Sequence, residues 1–159
     1  MPRFRSLAVV LALAVLGFAW FVGQDSTPAY AAVEVLPLAQ EAPTVEYLNP
    51  GRNFSQAVRV DGIVYLSGQL GTSRDGEQGI AAETTRAMAG IQAALEEHGS
   101  GMDRVIKCTV FLADIADFGA MNPAYVAAFP ADKPVRSTVA VGGLVSGALV
   151  EIECVGAMK

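Results

Sequence analysis

Hydrophobic and polar residues alternate, or β-branched residues accumulate, along several short segments, and this pattern predicts strands. The segments are 54–60, 63–70, 105–112, 136–144 and 150–155. Asp61-Gly62 separates the first two segments and is a strong signal for a two-residue hairpin turn, because both residues tolerate a positive φ. A short link containing Gly and Ser joins the last two segments, which we therefore expect to form a second β-hairpin.

Two longer segments show the helical period instead. Segment 79–98 places six apolar residues on one stripe: Ile80, Ala87, Met88, Ile91, Ala94 and Leu95. Gly99 follows as a candidate C-cap. Segment 114–129 predicts a second helix with the apolar face Phe118, Met121, Tyr125 and Phe129. Because Pro123 lacks a backbone N–H, we expect this helix to begin near the proline or to bend there.

The order of elements is therefore ββ-α-β-α-ββ, which predicts an α+β domain with one mixed sheet and both helices on one face. The other face carries many apolar side chains, so we expect it to be buried in a homo-oligomer. A terminal hairpin places Arg136, at the start of its first strand, and Glu151, at the start of its second, at opposite ends. If the two residues share a site, strong sheet twist or a neighbouring subunit must bring them together.

The N-terminus has the pattern of a secretory signal peptide, with Arg3 and Arg5 before the apolar run 7–22 and an Ala-x-Ala box at 29–31. Cleavage after Ala31 would remove 31 of the 159 residues. The alternative is an uncleaved N-terminal membrane anchor. Both alternatives place the folded part outside the cytoplasm, in the periplasm or secreted. We assign residues 1–31 to the signal peptide, 32–47 to a linker and 48–159 to the domain.

Composition and charge exclude several classes of function. The formal net charge of −5 argues against a nucleic-acid partner. One His and two Cys match no zinc-binding spacing, and neither a phosphate-binding glycine loop nor a Gly-x-Ser-x-Gly elbow occurs. We expect His98 to be an exposed structural residue at a helix C-terminus. Cys108 and Cys154 could form a disulfide or remain buried thiols, and we slightly favour thiols.

Arg136 is the strongest candidate for chemistry. It follows Pro134-Val135 and opens an apolar strand, where its planar fork of donors suits a carboxylate ligand. The alternative is an internal salt bridge with Glu151 or Asp132.

Five stretches together resemble the RidA (reactive intermediate deaminase) family of enamine/imine deaminases. They are 54–58 (FSQAV), 64–69 (VYLSGQ), 108–112 (CTVFL) with 117–118 (DF), 121–125 (MNPAY), and 136–139 (RSTV) with 150–153 (VEIE). The resemblance implies a chorismate-mutase-like fold and a homotrimer whose sheets form an inner barrel with clefts between subunits. It also implies hydrolysis of 2-enamine and 2-imino acids, such as 2-aminoacrylate, to 2-keto acids and ammonia without a cofactor.

The resemblance also suggests residue roles. Arg136 would bind the substrate carboxylate, and Glu151 would position the attacking water or carry its proton. The other pocket residues that it implies are Asn122, Ser55 and Gly68. Phe54 stands where the family has a tyrosine, which predicts a preference for larger or more apolar imines. The alternative function is a non-catalytic module that binds small carboxylates or protects other proteins, because a shared fold does not guarantee shared chemistry.

Overall fold

A computed structural model of the protein describes residues 42–159. The predicted signal peptide, 1–31, and most of the predicted linker lie outside the described residues. The described part contains seven strands and two α-helices. They are β1 (Val45–Pro50), β2 (Ser55–Val60), β3 (Ile63–Leu66), β4 (Gln69–Leu70), α1 (Ile80–Glu97), β5 (Val105–Leu112), α2 (Phe118–Ala127), β6 (Val135–Ala140) and β7 (Val150–Ala157).

The strands form one mixed sheet in the order β1-β2-β3-β7-β5-β6, with β4 also paired to β7. All pairs are antiparallel except β5–β6. The predicted turn at Asp61-Gly62 is confirmed, since Val60 pairs with Ile63 and Asp61 has a φ of 51°. The segment predicted as one strand at 63–70 is divided into β3 and β4. The predicted mixed sheet with two helices is confirmed.

The predicted hairpin between the last two strands is wrong, because β5 lies between β6 and β7. β5 and β6 are parallel, and the long crossover connection that parallel strands require runs through α2. The link that follows β6 then passes over the end of β5. Val141 N donates to Leu112 O at 2.9 Å, and Ala113 N donates to Leu149 O at 3.0 Å. The link is therefore long enough to place β7 on the far side of β5.

The two helices largely follow their sequence patterns. All six residues of the predicted α1 stripe are buried. His98 caps α1 but is also buried, with Nε2 3.0 Å from Gln56 Oε1, so its predicted exposure is wrong. α2 begins five residues before Pro123, so the first alternative, a start near the proline, is wrong, whereas a bend at Pro123 stays a prediction. The carbonyl that the proline leaves without its usual donor belongs to exposed Gly119, where water can reach it.

The helices cover one face of the sheet and leave the other open. Alternate residues of β5 and β7 are buried beneath the helices: Cys108, Val110, Leu112, Val150, Ile152 and Cys154. The open face exposes Tyr65, Val135 and Val139. This arrangement matches the predicted uncovered apolar face. No helix within residues 42–159 has the length and apolarity needed to cross a bilayer.

Cys108 and Cys154 form a disulfide, so the slight preference for free thiols is wrong. The two residues face each other directly across β5 and β7, with a Cα–Cα distance of 4.2 Å. Sequence periodicity placed each cysteine in a strand but did not reveal that the strands are neighbours in this register.

Candidate active site

Arg136 lies on the edge strand β6, level with Cys108 of β5. Residues that are level in neighbouring strands point to the same face, so its side chain projects to the helix side of the sheet. There its Cζ lies 4.6 Å from the centre of the Tyr125 ring and 5.5 Å from the centre of the Phe118 ring. The site is therefore a half-buried guanidinium resting on two aromatic rings of α2.

The alternative interpretation of Arg136, an internal salt bridge with Glu151 or Asp132, is wrong. Within residues 42–159 the one ion pair joins Arg59 to Glu46 at 3.4 Å. An aromatic ring attracts a guanidinium through its face and uses none of the in-plane N–H donors. Arg136 therefore keeps the donor fork that suits a planar carboxylate.

Glu151 lies near the start of β7 and is half-buried. Together with Phe54, Ser67 and Gly68 it lines a cavity of about 220 Å³. Gly68 is required by the position of the carboxylate, since a Cβ atom on this residue would lie 2.8 Å from Glu151 Cδ and even closer to Oε1. The glycine and the glutamate thus form one wall of a small pocket.

Arg136 and Glu151 lie on opposite faces of the sheet. Arg136 is level with Cys108, whereas Glu151 is level with Phe111, three residues further along β5. An odd separation along a strand reverses the face. Two strand spacings of about 4.8 Å and three residue steps of about 3.3 Å also separate the two Cα atoms. A single chain therefore presents two half-sites, one with the cation and one with the carboxylate.

The remaining residues suggested by the resemblance fall on one half-site or the other. Asn122 is half-buried on α2, between Phe118 and Tyr125 at spacings of four and three residues, which places it on the side of the helix that faces Arg136. Phe54 is 70% exposed and lines the Glu151 cavity. Ser55 is half-buried and its carbonyl accepts a hydrogen bond from Ser67 Oγ at 2.7 Å.

Sequence reasoning missed the aromatic support of Arg136 and two hydroxyl groups near it. Tyr125 Oη and Thr138 Oγ1 are both buried without a hydrogen-bond partner among residues 42–159. Burial raises the pKa of the Tyr125 phenol, and the positive charge of Arg136 opposes part of that rise. The sequence placed Tyr125 on the apolar face of a helix, and the structure confirms that it is a buried residue of α2. The sequence signal that could have identified Tyr125 as a site residue is its spacing of three residues from Asn122, which places both on one side of the helix.

Within residues 42–159, no group of three or more His, Cys, Asp or Glu side chains could hold a metal ion. The chemistry that the described side chains themselves offer is carboxylate binding at Arg136 and proton transfer or water binding at Glu151.

The fold and the two half-sites define a small α+β protein with a mixed sheet and one charged site residue on each face. A family model described as Endoribonuclease L-PSP matches residues 44–158. The chain belongs to this family, which includes the RidA proteins, and the resemblance seen in the sequence is confirmed.

Individual relatives agree with this membership. The chain is 41% identical to "RutC family protein UK114" of Drosophila melanogaster over 116 residues, which cover 70% of this chain and 84% of the relative. It is 38% identical to "2-iminobutanoate/2-iminopropanoate deaminase" of Rattus norvegicus over 106 residues, covering 64% and 77%. The match to "Reactive Intermediate Deaminase A, chloroplastic" of Arabidopsis thaliana has 31% identity and covers 97% and 89%.

Solved structures of the family have the same fold. RidA from an Antarctic Psychrobacter species superposes with a TM-score of 0.61 at 35% identity, covering 67% of this chain and 89% of that one. Yeast Mmf1 superposes with a TM-score of 0.65 at 29% identity, covering 74% and 100%.

Proposed function

We propose that this protein is an exported, homotrimeric hydrolase that converts 2-imino acids, and the enamines in equilibrium with them, to 2-keto acids and ammonia. Relatives named imine deaminases support the reaction type. The single observation that carries the proposal is the Arg136 guanidinium, half-buried, held on aromatic rings and free of ion pairs within the described residues. Such a group is suited to binding a small carboxylate.

The proposed reaction uses Arg136 to orient and Glu151 to move protons. The substrate carboxylate accepts two N–H bonds from Arg136, which holds the C=N carbon in place. Water attacks this carbon while the Glu151 carboxylate accepts the water proton. Glu151 returns this proton to the nitrogen, which gives the neutral tetrahedral carbinolamine. Glu151 then transfers the proton of the new hydroxyl group to the amino nitrogen, the C–N bond breaks as the C=O bond forms, and ammonia leaves, so imine and water become keto acid and ammonia. An enamine first takes up a proton at its β-carbon.

We propose that the complete site forms between subunits. Arg136 and Glu151 lie on opposite faces within one chain, and β6 has a free edge among the described strands. In a closed ring, the Arg136 half-site of one copy meets the Glu151 half-site of the next. Burial of the open apolar face, which includes Tyr65, Val135 and Val139, would stabilise this assembly.

The preferred substrate class in this proposal has an apolar side chain. Phe54 exposes 70% of its surface and lines the same cavity as Glu151. A phenyl wall beside the reacting carbon favours aliphatic or aromatic imino acids through contact with their side chains. Phe54 has no hydroxyl group that could form a hydrogen bond with a polar substrate side chain.

The proposed site of action is an oxidising compartment outside the cytoplasm. The signal-peptide pattern of residues 1–31 and the Cys108–Cys154 disulfide support this location independently. We propose no nucleic-acid partner, although the family description names an endoribonuclease, because a net charge of −5 opposes RNA phosphates.

The test supplies the purified protein with imines generated by an amino-acid oxidase from alanine, leucine and phenylalanine. We expect faster imine decay than in buffer, with the largest acceleration for the two bulkier imines. Arg136→Ala and Glu151→Gln should each reduce the acceleration by about 100-fold or more. Arg74→Ala, in an exposed loop, is the matched control. Binding of keto acids without turnover would instead identify the non-catalytic module.

A further inference from the structure

The Arg136 guanidinium is stabilised in an unusual way for a partly buried cation. No ion pair or side-chain hydrogen bond to it occurs within residues 42–159. A cation removed from water needs compensation, which a carboxylate usually provides. Here the compensation comes from the rings of Tyr125 at 4.6 Å and Phe118 at 5.5 Å.

The Tyr125 ring is the firmer of the two supports. Tyr125 is only 2% exposed, and its ring packs against Phe129 with centroids 5.0 Å apart and planes tilted by 57°. Phe118 is 40% exposed and lies further from the guanidinium. Because close packing holds a buried ring in one rotamer, the Tyr125 face is a fixed platform, whereas Phe118 is a looser wall.

The platform leaves the arginine donors available. A carboxylate partner would occupy the N–H groups in the guanidinium plane, whereas a ring contacts the cation from above or below that plane. The Tyr125 hydroxyl has no hydrogen-bond partner among the described residues, and the contact of Tyr125 with Arg136 is made by the face of its ring. Burial also raises its pKa, so the ring is uncharged at neutral pH.

We infer that Tyr125 is the positioning residue for Arg136: the face of its ring holds the guanidinium so that the donor fork points at the substrate carboxylate. This inference rests on the proposed function, because it assigns Arg136 a carboxylate ligand. It makes affinity for that carboxylate depend on the electron density of a side chain that does not itself touch the reacting atoms.

The test replaces Tyr125 with phenylalanine and then with mono-, di- and trifluorinated phenylalanines. Fluorination withdraws electron density from the ring face while nearly preserving ring shape, so a purely structural role predicts no trend. The readouts are the Kd of the product-like probe pyruvate and the KM and kcat for imine hydrolysis. We expect Tyr125→Phe to resemble the wild type. Kd and KM should then rise stepwise along the series, by about two- to thirtyfold in total, with a smaller change in kcat.

Two variants separate the platform from general packing. Phe129→Leu removes the ring that packs on Tyr125 but not the one beneath Arg136, so we expect its pyruvate affinity to change less than that of Tyr125→Leu. A flat Kd across the fluorinated series, or an equal loss in Phe129→Leu, would overturn the inference. If Arg136→Ala itself leaves binding and turnover unchanged, the proposed function fails instead.

Discussion

At the scale of single residues, the chemistry depends on how two charged side chains are supported. Arg136 could be selected from the sequence because an arginine at the start of an apolar strand needs a partner. Tyr125 could not, because its place in the apolar stripe of α2 already explained it as a core residue. The helical spacing of apolar residues predicts that Tyr125 is buried, but it does not show that the buried ring also supports Arg136.

Tyr125 should make the protein sensitive to alkaline pH. Burial raises its pKa above the ordinary value of 10.0, so between that value and the raised pKa the unfolded chain releases the phenolic proton while the folded chain retains it. The unfolded state then binds fewer protons, and stability falls as pH rises, by up to about 1.4 kcal/mol per pH unit from this group. Urea unfolding from pH 9 to 11 should show a shallower loss for Tyr125→Phe. Identical slopes in the two proteins would contradict this.

At the scale of elements, the sequence predicted most strands and helices but not which strands are neighbours. Segment 105–112 was assigned with the bounds that the structure has, since its β-branched residues identify a strand locally. The pairing of β6 with β5 instead of β7 depends on the crossover through α2 and on the link 141–149, neither of which leaves a periodic signal. The disulfide escaped prediction for the same reason.

Gly68→Ala should reduce activity without unfolding the protein. An added Cβ would collide with the Glu151 carboxylate, the end of a flexible side chain that can move aside. The carboxylate would leave its position, and kcat/KM should fall at least about tenfold, as expected for a displaced general base. The matched control is Gly62→Ala, where an added Cβ would have no neighbour within 4 Å. Equal activity of the two variants would show that the position of Glu151 is unimportant.

The Cys108–Cys154 disulfide should contribute strongly to stability. It closes a loop with a sequence separation of 46 residues, for which the chain-entropy model gives about 4 kcal/mol. Urea unfolding should therefore shift to a lower midpoint when a reducing agent is added. The double variant Cys108→Ala/Cys154→Ala should unfold at a similarly low midpoint, with no response to the reducing agent. Two titratable thiols in the untreated protein would contradict the bridge.

At the scale of the whole molecule, the sequence predicted the layered α+β domain and its uncovered apolar face. It also indicated that Arg136 and Glu151 would not meet within one chain, although for the wrong reason. The two residues are separated because β5 lies between their strands and because they occupy opposite faces. Alternation along a strand shows which of its residues share a face of the sheet. Which residues of two different strands share a face depends on their pairing register, which alternation does not show.

The most direct test of the account is subunit complementation. Arg136→Ala and Glu151→Gln proteins, each inactive alone, are unfolded together in equal amounts, refolded and assayed for imine hydrolysis. If each site takes Arg136 from one copy and Glu151 from the next in a closed ring, random mixing restores both residues in about a quarter of the sites. We predict activity near that fraction of the wild type, and a mixture as inactive as its two components would contradict a site shared between subunits.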